Sequence, residues 1–212
     1  MTSGLSRDRA ALLVVDIQER LAAVMQPAVL EQVVRNTVVL IETANRLGLP
    51  IAVSQQYPKG LGATVPAIEE ALRAVTTPAG WPGGDRVYRF DKTVFAATAS
   101  EQFAGATRDP LQRDQWIVAG MEAHICVYQT ARGLVTRGLQ AHVVSDAVCS
   151  RTKANWKIGC KLVERLGDAR GLDATAPVGG GGAVLTSTEV VVFDLLGRAG
   201  TDDFKALSRL IK

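Results

Sequence analysis

Three side chains that could act together in covalent chemistry lie far apart in the chain: Asp16, Lys92 and Cys126. A cysteine thiol becomes a nucleophile once its proton is removed. A carboxylate can take that proton and return it to a leaving group, and an ammonium steadies the charge passing between them. Cys126 opens a helical stretch, where the positive end of the helix dipole favours the thiolate, so its pKa is expected below the ordinary value of about 8.5. Each residue also has a plain reading. An aspartate closing a buried strand is often a turn or cap residue, a single lysine is ordinarily solvated surface, and a single cysteine in an apolar run is ordinarily packing. Cys149 and Cys160 keep the packing reading, and His124 and His142 are too far from other ligand types to suggest a metal site.

Only an arrangement of strands could bring these residues together. Residues 11–17 (ALLVVDI) are a short, valine-rich apolar run ending beside Asp16, which predicts a buried strand. Leu30, Val33, Val34, Thr37, Ile41, Ala44 and Leu47 recur at three and four, a helical stripe stopped by Gly48. Further strands are expected at 49–53, 86–90, 115–119, 141–145 and 183–186. Helices are expected from about 66, at 100–106, from the 120–126 segment to about 137, and at 154–166. Thr186 and Glu189 have the spacing of a capping box before VVVFDLLG, and Phe204, Leu207, Leu210 and Ile211 share one helical stripe. Six strands alternating with helices predict right-handed βαβ units. The expected fold is α/β: three α/β/α layers around a six-stranded parallel sheet of Rossmann-like topology, with 1–212 as a single domain. Asp16, Lys92 and Cys126 would then sit at the carboxyl ends of strands, where open parallel sheets bind ligands. Residues 168–182, with four consecutive glycines, read as a surface loop. A phosphate cradle competes, but no Gly-Lys-Ser/Thr and no G-x-G-x-x-G follows.

Composition narrows the class. The 212 residues are 47% hydrophobic and 21% charged, the profile of a folded globular protein with a core that needs no disulfide or metal. A net charge of +3 is too mild for a nucleic-acid or anionic-membrane partner. Three cysteines, an odd and sparse set without a C-x-x-C pair, fit a reducing, cytoplasmic compartment. The apolar run at 10–15 is far short of a membrane span.

Five segments carry a family resemblance: VVDIQ (14–18), DKTVFAA (91–97), GMEAHICVYQTARGLVTRG (120–138), HVVSDAVCSR (142–151) and LTSTE (185–189). Together they resemble the isochorismatase-like cysteine hydrolases over nearly the whole chain. The loop QQYPKGLG (55–62) is similar to the branch of the isochorismatase domain-containing proteins. The resemblance implies a triad of Asp16, Lys92 and Cys126, a cis peptide between Met121 and Glu122, and an oxyanion hole made by the backbone N–H groups of Glu122 and Cys126. It also implies a homo-oligomer, a dimer or larger, for which the residues themselves offer only the apolar helix VVVFDLLG and the stripe ending in Leu210 and Ile211. Two departures matter. Nicotinamidases of this type carry an Asp-x-His metal motif where this chain reads Ser54-Gln55-Gln56-Tyr57, so no metal and no cofactor is expected. True isochorismatases protonate a vinyl ether and lack a nucleophilic cysteine, whereas this chain has Cys126.

The leading expectation is therefore a metal-independent cysteine hydrolase acting on a small-molecule substrate through an amide or other C–N bond. Gln18, Gln56, Tyr57, Phe95 and His124 are candidate substrate-binding residues, each of which could equally be ordinary loop or packing. Two other readings stand beside it: a catalytically silent binding or scaffold protein, and a ribonuclease-like enzyme.

Overall fold

Along β1 (Ala10–Val15) side chains alternate between two buried faces. Leu12 and Val14 join one hydrophobic cluster, while Ala11, Leu13 and Val15 join the other, and the whole strand is buried. A strand covered on both sides must be apolar throughout, which is why this run shows no polar alternation. In the computed structural model, residues 4–81, 84–106, 112–168 and 181–211 are described. β1 lies inside an all-parallel sheet with β2 (Ile51–Gln56), β3 (Val87–Lys92), β4 (Gln115–Met121), β5 (Gln140–Cys149) and β6 (Gly182–Thr186), in the order β3-β2-β1-β4-β5-β6. Nine α-helices are described: α1 (Glu19–Ala22), α2 (Pro27–Leu47), α3 (Pro58–Leu61), α4 (Pro66–Arg73), α5 (Glu101–Ala106), α6 (Tyr128–Thr136), α7 (Lys153–Asp168), α8 (Thr188–Leu196) and α9 (Asp202–Leu207). Leu40 and Ile41 of α2, Ile68 of α4 and Val191 of α8 cover one face. Phe103 of α5, Leu134 of α6 and Val163 of α7 cover the other. The three-layer α/β/α expectation holds.

The order of the strands places the site. From β1 the chain winds outward through β2 to β3, then returns to pair β4 with the opposite edge of β1. The strand ends of β1 and β4 therefore face a crevice at the topological switch point, the usual ligand position in such sheets. Gly120 is required there. Its φ is +128°, and a Cβ would overlap the backbone of Val15, so β1 and β4 close up only because the residue has no side chain.

Several boundaries differ from the sequence reading. β3 runs on through Asp91 to Lys92, because both continue the ladder against Gln55 and Gln56. β5 extends to Cys149, with a register shift opposite Val118 and Gly120. The irregular stretch is pinned by Asp146, whose carboxylate accepts from the N–H and hydroxyl of Thr188 at 2.8 and 2.9 Å. The N-cap of α8 is Ser187, accepting from Val190 N–H, and not Thr186, because Thr186 is still the last residue of β6. The C-terminal stripe is used inside the molecule: Leu207 is buried with Val39, Val192 and Leu196, and Phe204, Leu210 and Ile211 pack against them. It therefore gives no support to an oligomer surface, although Val190 and Phe193 of α8 stay exposed. The expected loop at 168–182 lies, apart from its ends, outside the described residues. Among the described residues no helix is long and apolar enough to cross a membrane.

Candidate active site

Asp16 is the first residue beyond β1 and takes φ +51°, a left-handed conformation that aspartate tolerates better than most residues. Its carboxylate is fully buried. Oδ1 accepts from the Ser54 hydroxyl at 2.7 Å and Oδ2 from Lys92 Nζ at 2.7 Å. Cys126 is close enough to the same carboxylate for each group to shift the other's pKa. Lys92 closes β3, one strand further out than Ser54. Its Nζ also donates to Gln56 Oε1 at 2.6 Å and to the carbonyls of Phe95 and Val94 at 3.1 and 3.4 Å. Cys126 lies in a π-turn, Ala123–Val127, closed by a Val127 N–H bond to the Glu122 carbonyl at 3.2 Å and continued by α6. Wide turns of this kind are concentrated at functional sites. The Met121–Glu122 peptide is cis.

Three segments distant in sequence thus meet at one rim of the sheet, Asp16 and Lys92 by a direct hydrogen bond and Cys126 within reach of their charges. The ordering is unequal. Lys92 is held by four oxygens and has no exposed side-chain surface, so it acts on the thiol through Asp16 and at a distance, as a fixed positive charge. Burial pushes the Asp16 carboxyl up, while the Lys92 charge and the hydrogen bonds from Lys92 and Ser54 pull it down. A carboxylate with its basicity raised by burial is suited to taking a proton and handing it on.

Cys126 differs from the sequence expectation. Burial and the Asp16 charge push its pKa up to about 12, against the opposing charge of Lys92. The resting group is a neutral thiol, and the helix end does not outweigh desolvation. Cys149, at about 12, and Cys160, at about 11, are raised by burial as well. The sign fixes a pH profile. Because the raised pKa keeps the thiolate scarce, alkylation of Cys126 by iodoacetamide should climb about tenfold per pH unit from 7 to 9 without levelling. Timed labelling read by peptide mass checks this, and a plateau below pH 8 would mean a preformed thiolate.

The other candidate residues divide. Gln18 is fully buried, and its amide brackets the Gln56 backbone like an added ladder rung: Oε1 accepts from Gln56 N–H at 2.7 Å, and Nε2 donates to the carbonyls of Gln56 and Gly62 at 3.1 and 2.7 Å. It is a brace and not a pocket wall. Gln56, braced in this way, uses its own amide to hold Lys92 and the Thr93 carbonyl. Tyr57 and Phe95 expose 54% and 55% of their surface at this rim. His124 is half-buried, with Nδ1 3.0 Å from the Ser150 hydroxyl and no bond to Asp16, Lys92 or Cys126. Ser54 was not among the expected site residues, although it follows directly from the register, which sets it beside Val15. Glu122 was expected only for its N–H. Its buried carboxylate accepts from Arg151 N–H and Nε at 2.9 and 3.1 Å, clamping the β5–α7 connection to the turn that carries Cys126.

At the place of the nicotinamidase metal motif, Ser54 is bonded to Asp16, the Gln55 amide donates to the Thr64 hydroxyl, and Gln56 holds Lys92. Among the described residues no group of three His, Cys, Asp or Glu is placed to hold a metal. His142 lies well inside β5, opposite Ile117, and burial lowers its pKa.

A doubly wound parallel sheet with thiol, carboxylate and ammonium joined at its switch point defines an α/β protein of the isochorismatase-like type. The isochorismatase domain profile matches residues 10–174, and the chain belongs to the isochorismatase family. It is 31% identical over 203 residues, 96% of the chain and 84% of the relative, to the secreted isochorismatase effector Isc1 of Phytophthora sojae. It is 30% identical over 201 residues, 95% of the chain and 82% of the relative, to isochorismatase domain-containing protein 2 of Bos taurus. Among solved structures, the MAR1 ribonuclease from Caenorhabditis elegans superposes with TM-score 0.78 at 30% identity, covering 98% of this chain and 92% of that one. The Escherichia coli YcaC gene product, described as an octameric hydrolase of unknown specificity, has TM-score 0.77 at 19% identity, with 99% and 91% covered, and shares the fold. Members of the family are hydrolases.

Proposed function

We propose that this protein is a cysteine hydrolase that cleaves a small amide or related C–N bond, needs no metal, and works as a homo-oligomer. The observation that carries the reading is the buried Asp16 carboxylate, fixed by Lys92 and Ser54, with the Cys126 thiol close enough to feel its charge. As Cys126 Sγ attacks the acyl carbon, its proton passes to Asp16, so a thiol with a raised pKa can still be a nucleophile. The Glu122 and Cys126 backbone N–H groups donate to the oxyanion, each worth about 10²-fold or more. Asp16 then protonates the departing amine as the C–N bond breaks and a thioester remains. Asp16 next takes a proton from water, which attacks the thioester, and the proton returns to sulfur.

The name ribonuclease belongs to the C. elegans relative. A phosphate substrate fits these residues less well, because Lys92, the cation beside the thiol, has its donors taken up by Asp16 and neutral oxygens and offers little to a phosphate. The test is native mass spectrometry of the protein exposed to a small amide library and to activated esters. An acyl adduct on Cys126, absent from Cys126→Ala and retained in Cys149→Ala and Cys160→Ala, is expected on an assembly of at least two chains. Cleavage of RNA that is lost in Cys126→Ala, with no acyl adduct from any amide or ester, would overturn the reading.

A further inference from the structure

The ionic groups of the site are already paired among themselves. Lys92 has three protons to donate and four oxygens around it, the nearest being Gln56 Oε1 at 2.6 Å and Asp16 Oδ2 at 2.7 Å, so none is left for a ligand. Arg151 Nε is bonded to Glu122 Oε2 at 3.1 Å. The Asp16–Lys92 and Glu122–Arg151 pairs each sum to zero charge, and the thiol is neutral. A substrate carboxylate reaching the thiol would lose hydration, meet the buried Asp16 carboxylate and find no free donor on Lys92, which disfavours it there.

The rim offers something different. Thr93 to Ala96 form a strap over Lys92, tied down by the Gln56 amide on the Thr93 carbonyl, by Lys92 on the Val94 and Phe95 carbonyls, and by Ala97 N–H on the Thr130 hydroxyl of α6 at 2.9 Å. With its carbonyls turned to the ammonium, the strap leaves the side chains of Val94 and Phe95 exposed, 43% and 55% respectively. Across the β2–β3 edge, Tyr57 N–H donates to the Lys92 carbonyl at 2.8 Å, and Tyr57 holds φ +38°, a region costly for an aromatic residue. Its ring lies over Gly60 so closely that a Cβ there would overlap it. Tyr57, strained and with its ring held against Gly60, and the two exposed apolar residues of the strap follow the ends of the neighbouring strands β2 and β3 at the same rim.

Resting on the hydrolase reading above, we infer that the site selects uncharged acyl compounds, and that the apolar or aromatic end of the acyl group lies on the lip formed by Tyr57, Val94 and Phe95.

Two 4-nitrophenyl esters of equal chain length separate the possibilities: the hexanoate, ending in a methyl group, and the mono-ester of adipic acid, ending in a carboxylate. In each case the thiol proton passes to Asp16, the S–C bond forms, the ester C–O bond breaks, and nitrophenolate leaves. Its release, less that from Cys126→Ala, measures acylation. Hexanoate is expected to react at least about tenfold faster, the scale of discrimination a few apolar contacts give. In Phe95→Ala and Tyr57→Ala, with unchanged circular dichroism, that ratio should fall below about threefold, and Phe95→Leu should restore most of it. Equal rates, a faster adipate ester, or a ratio unmoved by both alanine variants would overturn this inference while leaving the hydrolase reading intact. Absence of Cys126-dependent release from either ester would overturn both.

Discussion

Asp16→Asn is expected to slow acylation of Cys126 by about 10²-fold or more and to destabilise the fold by about 3–5 kcal/mol in the same variant. The two losses have different origins. An amide cannot take the thiol proton, and with the thiol pKa near 12 almost no thiolate exists at neutral pH to react without that transfer. The stability loss comes from Lys92. Its ammonium has no exposed side-chain surface and relies on Asp16 Oδ2 at 2.7 Å, so the substitution leaves a buried charge whose remaining partners are the neutral oxygens of Gln56, Val94 and Phe95. An asparagine able to keep the Ser54 bond through its carbonyl would turn its NH₂ toward Nζ, donor against donor. The double variant Asp16→Asn/Lys92→Met separates the effects. With no charge left to bury, it should regain most of the stability and none of the reactivity. Urea unfolding and ester acylation read the two quantities. Acylation by Asp16→Asn within threefold of the unmodified protein would remove Asp16 from the chemistry.

That experiment concerns residues readable from sequence, and the reason is topological. The run Ala10–Val15 is apolar without alternation because both its faces are buried, so a parallel central strand and its terminal aspartate could be inferred before any fold was seen. The positions of Lys92 and Cys126 followed from the same alternation of strands and helices. What joins these residues was much less legible. The Ser54 hydroxyl depends on β1–β2 register, which the sequence leaves open until the pairing is known. Gln18 looked like a wall residue because it is polar and near Asp16, yet it works by bracketing the backbone of a strand 38 positions away. The thiol pKa was expected on the wrong side of its ordinary value because a helix end can be recognised in sequence, whereas desolvation and the distance to a carboxylate cannot. β5 was read too short because the pinning of Asp146 by Thr188 joins residues 42 apart.

Gly159 shows the same division between local and tertiary information, and with a measurable sign. It lies inside α7, where helix propensity alone predicts that Gly159→Ala stabilises by about 0.8–1 kcal/mol. The fold predicts the reverse. A Cβ at that position would come within 2.6 Å of the Ala123 carbonyl carbon and 2.7 Å of His124 N, both backbone atoms of the turn that carries Cys126. Flexible side chains could swing away from such a contact, but backbone cannot, so either α7 or the turn must shift. α7 is held by Val163 in the core and by Trp156 Nε1 on the Ser145 carbonyl at 3.3 Å. The turn therefore takes part of the displacement, and with it the thiol's position against Asp16. A shift near 1 Å at reacting atoms can cost about 10²-fold. Gly159→Ala is accordingly expected to lower the melting temperature and to slow Cys126 acylation by about 10- to 100-fold. Lys157→Ala, an exposed change on the same helix, should leave both nearly unchanged. Thermal unfolding and ester acylation of the two variants decide the matter: a raised melting temperature with unchanged acylation in Gly159→Ala would mean that α7 does not seat the nucleophile turn.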